Sequence, residues 1–134
     1  MKKIYIYLAI LIVAVACTSN TKDELVVEKA TSPISGKWNL NNVYGGLLGL
    51  NQNYATGDLT LNFNTTTNIV VVNNTVTNSN TSFVSGSYSY AIQTISGVDF
   101  LVIDGINRGK ITINSNLILD NNVALDGLKF KYIR

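Results

Sequence analysis

The residue types that carry most protein chemistry are scarce in this chain. It has no histidine, a single cysteine at Cys17, and eight carboxylates in 134 residues. Without histidine, neither a Ser-His-Asp triad nor a Cys-His pair can be assembled, and the usual zinc ligand sets are missing. The carboxylates are Asp23, Glu24, Glu28, Asp58, Asp99, Asp104, Asp120 and Asp126. The first three lie in a polar stretch. The others sit at the ends of apolar runs or in turns, where Asp accepts backbone N–H bonds. A glycosidase-like pair needs two carboxyls facing each other across a cleft, one with a raised pKa, and nothing in the spacing pairs these. Asp120, Asn122 and Asp126-Gly127 approach the spacing of calcium ligands, but Ala124 stands at the third position and no Glu closes the loop. A turn is expected there. The expectation is a non-enzyme with no catalytic residue, no metal and no cofactor.

The chemistry open to Cys17 depends on where it sits. Met1-Lys2-Lys3 is a basic start, and Ile4 to Ala16 is a thirteen-residue apolar run. That is short for a hydrocarbon core ~30 Å thick, which takes about 20 residues to span, and it suits the apolar part of a secretory signal. The run ends Ala14-Val15-Ala16-Cys17, and small residues directly before a cysteine resemble the lipobox of bacterial lipoproteins. The resemblance implies a signal peptide over residues 1–16, diacylglyceration (palmitate-type chains) of Cys17, and acylation of the new amino terminus. Each buried CH₂ adds roughly 0.8 kcal/mol, so acyl chains on Cys17 would make the membrane a partner. Residues 17–34 then form a lipidated tether. Its Lys22-Asp23-Glu24 resembles the Lys-acidic-acidic export tag of Bacteroidota surface lipoproteins, which implies an outer-membrane lipoprotein of the cell envelope, exposed at the surface.

Removing Lys2 and Lys3 from the ten Lys and Arg leaves eight, against eight Asp and Glu. A neutral mature chain argues against nucleic acid, which needs a basic surface. Length allows one domain, and it is expected over residues 35–134. One proline, eighteen asparagines and 46% apolar residues describe a turn-rich fold. From Ser35 onward, period two dominates and no helical period is sustained. Eight runs have strand character: Gly36–Val43, Asp58–Asn64, Asn68–Asn73, Ser82–Gln93, Val98–Ile103, Gly109–Asn114, Asn116–Asp120 and Leu128–Arg134. The links are short, which favours antiparallel neighbours. Eight antiparallel strands with one apolar face each are best satisfied by a closed barrel, which also removes exposed edges. A two-sheet sandwich is the competing arrangement.

Gly36-Lys37-Trp38 opens the first run as the Gly-x-Trp of lipocalins does, and Arg134 lies in phase with Leu128, Phe130 and Tyr132 in the last. Leu59-x-Leu61-x-Phe63, Gly86-x-Tyr88-x-Tyr90 and Asp126-Gly127-Leu128-Lys129-Phe130 are also similar to lipocalin-like bacterial lipoproteins. The resemblance implies a small antiparallel eight-stranded barrel in which Arg134 packs over Trp38 and closes the base. This domain is shorter than a typical lipocalin and can form no disulfide, so ligand-binding residues do not carry over. The META-type domain is a second family it resembles, without that group's paired cysteines.

The irregular segment Tyr44 to Gly57 carries Tyr44, Leu47, Leu48, Leu50 and Tyr54 among glycines. In lipocalins the corresponding loop lies over the barrel mouth. The expectation is a lid with its leucines facing inward, as a cap on the core or as a contact patch. The function expected is non-enzymatic binding, by a monomer, of a small apolar ligand or a protein partner at the envelope. The alternative is an accessory lipoprotein with a filled barrel and no ligand. Replacing Cys17 by Ser (Cys17→Ser) is expected to abolish acyl labelling and release the protein from membranes on fractionation. Unchanged membrane association would refute the lipidation site.

Overall fold

The structure, a computed structural model, describes residues 33–77, 80–81, 83–122 and 125–134. The expected signal peptide, Cys17 and the tether up to residue 32 lie outside the described residues. Nine strands follow: β1 (Gly36–Gly45), β2 (Leu50–Asn53), β3 (Leu59–Asn64), β4 (Ile69–Asn74), β5 (Gly86–Ile95), β6 (Val98–Ile103), β7 (Ile106–Ile113), β8 (Leu117–Asp120) and β9 (Leu128–Ile133). All pairings are antiparallel, and β9 pairs back onto β1. Eight strands thus close a barrel, with β2 as an additional strand.

β1 organises the closure. Its first half pairs with β3, from Gly36↔Phe63 to Asn39↔Thr60. Its second half pairs with β2, from Asn42↔Asn53 to Gly45↔Leu50. The other edge runs along β9, from Asn39↔Ile133 to Gly45↔Leu128. Ten residues at ~3.3 Å each make β1 roughly 33 Å long. Its Gly36 end is called the lower end here and its Gly45 end the upper.

The alternation seen in the sequence becomes the inside of the barrel. Leu59, Leu61 and Phe63 are buried in β3, Val70 and Val72 in β4, Leu101 and Ile103 in β6, Leu117 and Leu119 in β8, and Phe130 and Tyr132 in β9. Phe63 and Tyr90 meet edge to face at 4.9 Å between centroids, a preferred aromatic geometry. Two hairpins turn in two residues, Ser96-Gly97 (φ 50° and 76°) and Asp104-Gly105 (φ 53° and 73°). Paired positive φ values match the twist of the flanking strands.

The lower end is closed by a clasp. The Arg134 guanidinium carbon lies 4.4 Å from the Trp38 ring centroid. The Trp38 Nε1–H donates to the Ile34 carbonyl at 2.8 Å, and the same Arg134 nitrogen donates to the carbonyls of Pro33 (2.8 Å) and Ser35 (3.2 Å). Ile34 is only 2% exposed. The sequence reading leaves residues 33 and 34 in the tether, whereas here they pack on the barrel, because the clasp needs their carbonyls and the core takes the Ile34 side chain.

Most strand limits shift from expectation by one or two residues, and three differences are larger. β2 arises inside the segment read as irregular. β5 starts at Gly86 rather than Ser82. β7 starts at Ile106 rather than Gly109, because Asp104-Gly105 alone makes the turn and a bulge then breaks the alternation. At that bulge Arg108 and Gly109 together oppose Leu101, and Asn107 Oδ1 accepts from Gly109 N–H at 2.8 Å.

Trp38→Ala should cost about 3–5 kcal/mol, as for a large core side chain. Arg134→Ala should cost about 0.5–1 kcal/mol, the range for an exposed cation over a ring. Denaturant titration of both single variants and the double variant should show non-additivity, because the side chains touch. Strict additivity would remove the clasp as an energetic unit.

Candidate functional site at the upper end of the barrel

Three connections meet at the upper end: the β1–β2 turn, the β4–β5 connection and the β8–β9 connection. The β1–β2 turn is Gly46-Leu47-Leu48-Gly49. Gly49 N–H donates to the Gly46 carbonyl at 3.0 Å, so Leu47 and Leu48 occupy the two central positions of a tight turn, and Gly46 and Gly49 supply the positive φ values at its ends. Leu47 is 85% and Leu48 100% exposed. The expected inward-facing lid is therefore corrected for these two leucines. Central turn residues project away from the strands, and the sequence pattern does not show that this segment is a hairpin. Leu50, by contrast, is half-buried against the core, and Tyr54 is buried within it. Tyr44 alternates with buried Val43 and points outward.

The exposed turn is braced. Gly46 N–H donates to the Gly127 carbonyl at 3.1 Å, and Leu47 N–H donates to the Asp126 carboxylate. Leu125, beside Asp126, is 78% exposed. Along the outer face of the hairpin lies a groove of about 580 Å³ whose walls include Tyr44, Asn42, Asn51, Asn53 and Lys131. Asn42 Nδ2 donates to the side-chain oxygens of Asn51 (2.9 Å) and Asn53 (2.8 Å), which holds these amides in place.

Described residues of the β4–β5 connection are bonded to neighbouring segments. Thr75 N–H donates to the Asp58 carbonyl at 2.8 Å, Asn74 Nδ2 to the Phe83 carbonyl at 2.7 Å, and Asn80 Nδ2 to Gln52 Oε1 at 3.3 Å. These bonds seat Phe83 in the core, 5% exposed. The Arg108 guanidinium carbon lies 4.9 Å from the Phe83 ring centroid. Sequence reading misses Arg108 and Phe83. The signal for Arg108 is Asn107-Arg108-Gly109, a bulge sequence that reverses the phase of β7 and turns Arg108 inward. An added Cβ at Gly109 would fall 2.5 Å from the Asp120 carbonyl oxygen, and its φ is 112°, so only glycine fits.

The lower end has a smaller pocket of about 360 Å³ lined by Pro33, Ile34, Ile92, Asp99, Ile111 and Ile113. Gly36, Trp38 and Arg134, singled out for closure, lie at that end. The described carboxylates are spread among turns and edges. Asp58 accepts from Ala55 N–H, Asp99 from the Thr94 hydroxyl and Asp126 from Leu47. Asp120 pairs with Lys129 at 3.1 Å. Among the described residues, no three His, Cys, Asp or Glu side chains gather.

Tyr132 is fully buried, and burial pushes its pKa far above the ordinary value, with the nearby Arg108 charge pulling it down and Tyr54 pushing it up. A folded-state pKa above the unfolded one means that the unfolded chain loses its proton first. The stability this contributes is present below about pH 10 and declines as pH rises beyond that point. Alkaline denaturation followed by circular dichroism should therefore begin near pH 10, and Tyr132→Phe should flatten the decline. An identical alkaline limb in that variant would show that another group governs it.

Comparison with protein-family models, with curated proteins and with solved structures returned no match to this chain.

Proposed function

We propose that this protein is a lipid-anchored, non-enzymatic binding module of the bacterial cell envelope that contacts a protein partner through the upper end of its barrel. The observation that carries the reading is the pair Leu47 and Leu48, 85% and 100% exposed on a turn braced by Asp126 and Gly127. Contiguous exposed leucines are a liability in a lone soluble domain and a common mark of an interaction site. A braced turn loses little freedom on binding, so less of the contact energy is offset by ordering. Tyr44 and the amide-lined groove flank the leucines with polar groups, in keeping with an apolar centre and a polar rim. The described chain enters at Pro33, at the lower end. Acyl chains on Cys17 would therefore be tethered to the end opposite the leucines.

A filled interior supports placing the contact on the outside. Among the described residues, nineteen buried hydrophobic side chains form one cluster, and an eight-stranded barrel is only just wide enough for its own side chains or one small ligand. A second reading, a small apolar ligand, is supported by the lower pocket of about 360 Å³ with its isoleucine lining, a size at the small end for ligand sites.

The double variant Leu47→Ser with Leu48→Ser should change unfolding free energy by no more than about 0.5 kcal/mol, as for surface positions. Photo-crosslinking in cells from position 125 should give a discrete adduct with the unchanged turn and none with the double variant. No adduct, or one indifferent to the leucines, would count against the reading. A loss of several kcal/mol on denaturation would instead make the leucines part of the core.

A further inference from the structure

Beyond the leucine turn, the outer face of the β1–β2 hairpin carries a polar array of its own. Residues opposed across an antiparallel ladder share a face. Asn42 stands opposite Asn53 on one side and Lys131 on the other, and Tyr44 stands opposite Asn51. Val43 and Leu50 point the other way, toward the core, so these five side chains face outward. They line one open groove of about 580 Å³, a volume within the usual range for ligand sites.

The amides of this groove are preset. Asn42 Nδ2 donates to the side-chain oxygens of Asn51 and Asn53, and to the Gln52 carbonyl at 3.1 Å. That uses the Asn42 donors. It leaves Asn42 Oδ1 as an acceptor and the Nδ2 groups of Asn51 and Asn53 as donors. Among the described residues nothing bonds to these three groups, and no ion pair engages Lys131. Groups already held in place lose little freedom on binding. Asparagine is disfavoured in strands, yet Asn41, Asn42, Asn51 and Asn53 all line this groove. Such departures from local preference concentrate at functional sites.

An uncharged array that offers an acceptor and donors together suits hydroxyl groups, each of which both donates and accepts. Phosphate would only accept, and an extended peptide would add to the edge of β2 rather than lie on its face. A sugar ring also has an apolar C–H face, and the face of the Tyr44 ring, negative at its centre, attracts it. We infer that this groove binds a saccharide, which lies against Tyr44 and is hydrogen-bonded by the amides of Asn42, Asn51 and Asn53. Lys131, opposite Asn42, is placed for an acidic substituent on the sugar. The site goes beyond the proposed partner contact, which uses the leucines at the tip of the turn.

The test is binding of the purified protein to an array of immobilised oligosaccharides covering neutral hexoses, amino sugars and uronates. The soluble form of a sugar that binds is then titrated while the side-chain amide ¹⁵N–¹H resonances of Asn51 and Asn53 are followed. Those resonances should shift saturably. The double variant Asn51→Ala with Asn53→Ala should weaken binding about tenfold or more, as for lost hydrogen bonds. Tyr44→Leu should weaken it comparably and Tyr44→Phe should retain it, because the ring rather than the hydroxyl makes the contact. Leu47→Ser with Leu48→Ser should leave it unchanged. Absence of binding across the array, unmoved amide resonances, or undiminished binding in the asparagine variant or in Tyr44→Leu would overturn the inference. Loss of binding in the leucine variant would also overturn it, by assigning the contact to the turn. Should the asparagine variant fail to fold, the resonances of the unaltered protein still decide. Crosslinking from position 125 reads the protein partner separately, so failure of one reading is distinguishable from failure of the other.

Discussion

The barrel closes where β1 meets β9, and every other feature depends on that ladder. An antiparallel sheet with one apolar face has to hide that face and leave two edges. Pairing the first strand with the last does both at once, because the apolar faces then point at each other around a common axis. β1 carries an unusual load in this arrangement. One edge serves β3 and then β2, and the other serves β9 along nearly its whole length. Asn41 is an extra residue in that ladder, between Leu40↔Tyr132 and Asn42↔Lys131. It shifts the inward phase, so that Trp38 and Leu40 point in below it and Val43 above it.

The two ends of the barrel are finished by different means. The lower end is drawn together by long-range contacts, with Arg134 reaching the Trp38 ring and the carbonyls of Pro33 and Ser35. These bonds join the segment leading into β1 to the residue that follows β9, so they reinforce the same closure. At the upper end the connections are bonded together. Phe83 is buried in the core, and the β1–β2 turn is bonded to the β8–β9 connection through Gly127 and Asp126. Leu47 and Leu48 stand in solvent at the two central positions of the β1–β2 turn.

Bulges govern which side chains enter the barrel. In a regular strand every second residue points inward, and a carboxylate or a cation at an inward position has to be accommodated. At β7 the extra residue turns Arg108 toward Phe83, where an unbroken alternation from Ile111 would have placed Gly109. The polar group so introduced is not neutralised by any described ion pair. A feature of this kind lowers stability in the free protein, and such departures from good packing concentrate at functional sites.

Much of the fold was legible in the amino-acid sequence. Alternation in Leu59-Thr60-Leu61-Asn62-Phe63 and in Leu128-Lys129-Phe130-Lys131-Tyr132 places side chains correctly, because the period of two is a local property of the extended backbone. Asn, Gly and Asp mark the turns for an equally local reason: they tolerate positive φ. Closure also follows from counting apolar faces that need cover. What only the tertiary structure decided are the features set by partners distant in sequence. Ile34 joins the core because Trp38 and Arg134 bind the carbonyls around it. Leu47 and Leu48 face solvent because Tyr44 to Asn53 forms a hairpin bonded to a connection some eighty residues away. Arg108 turns inward because two residues of β7 oppose one of β6. In each case the direction of a side chain depends on partners outside its own segment, and for Arg108 that dependence is hydrogen-bond register, a property of the pair of strands that neither sequence segment carries alone.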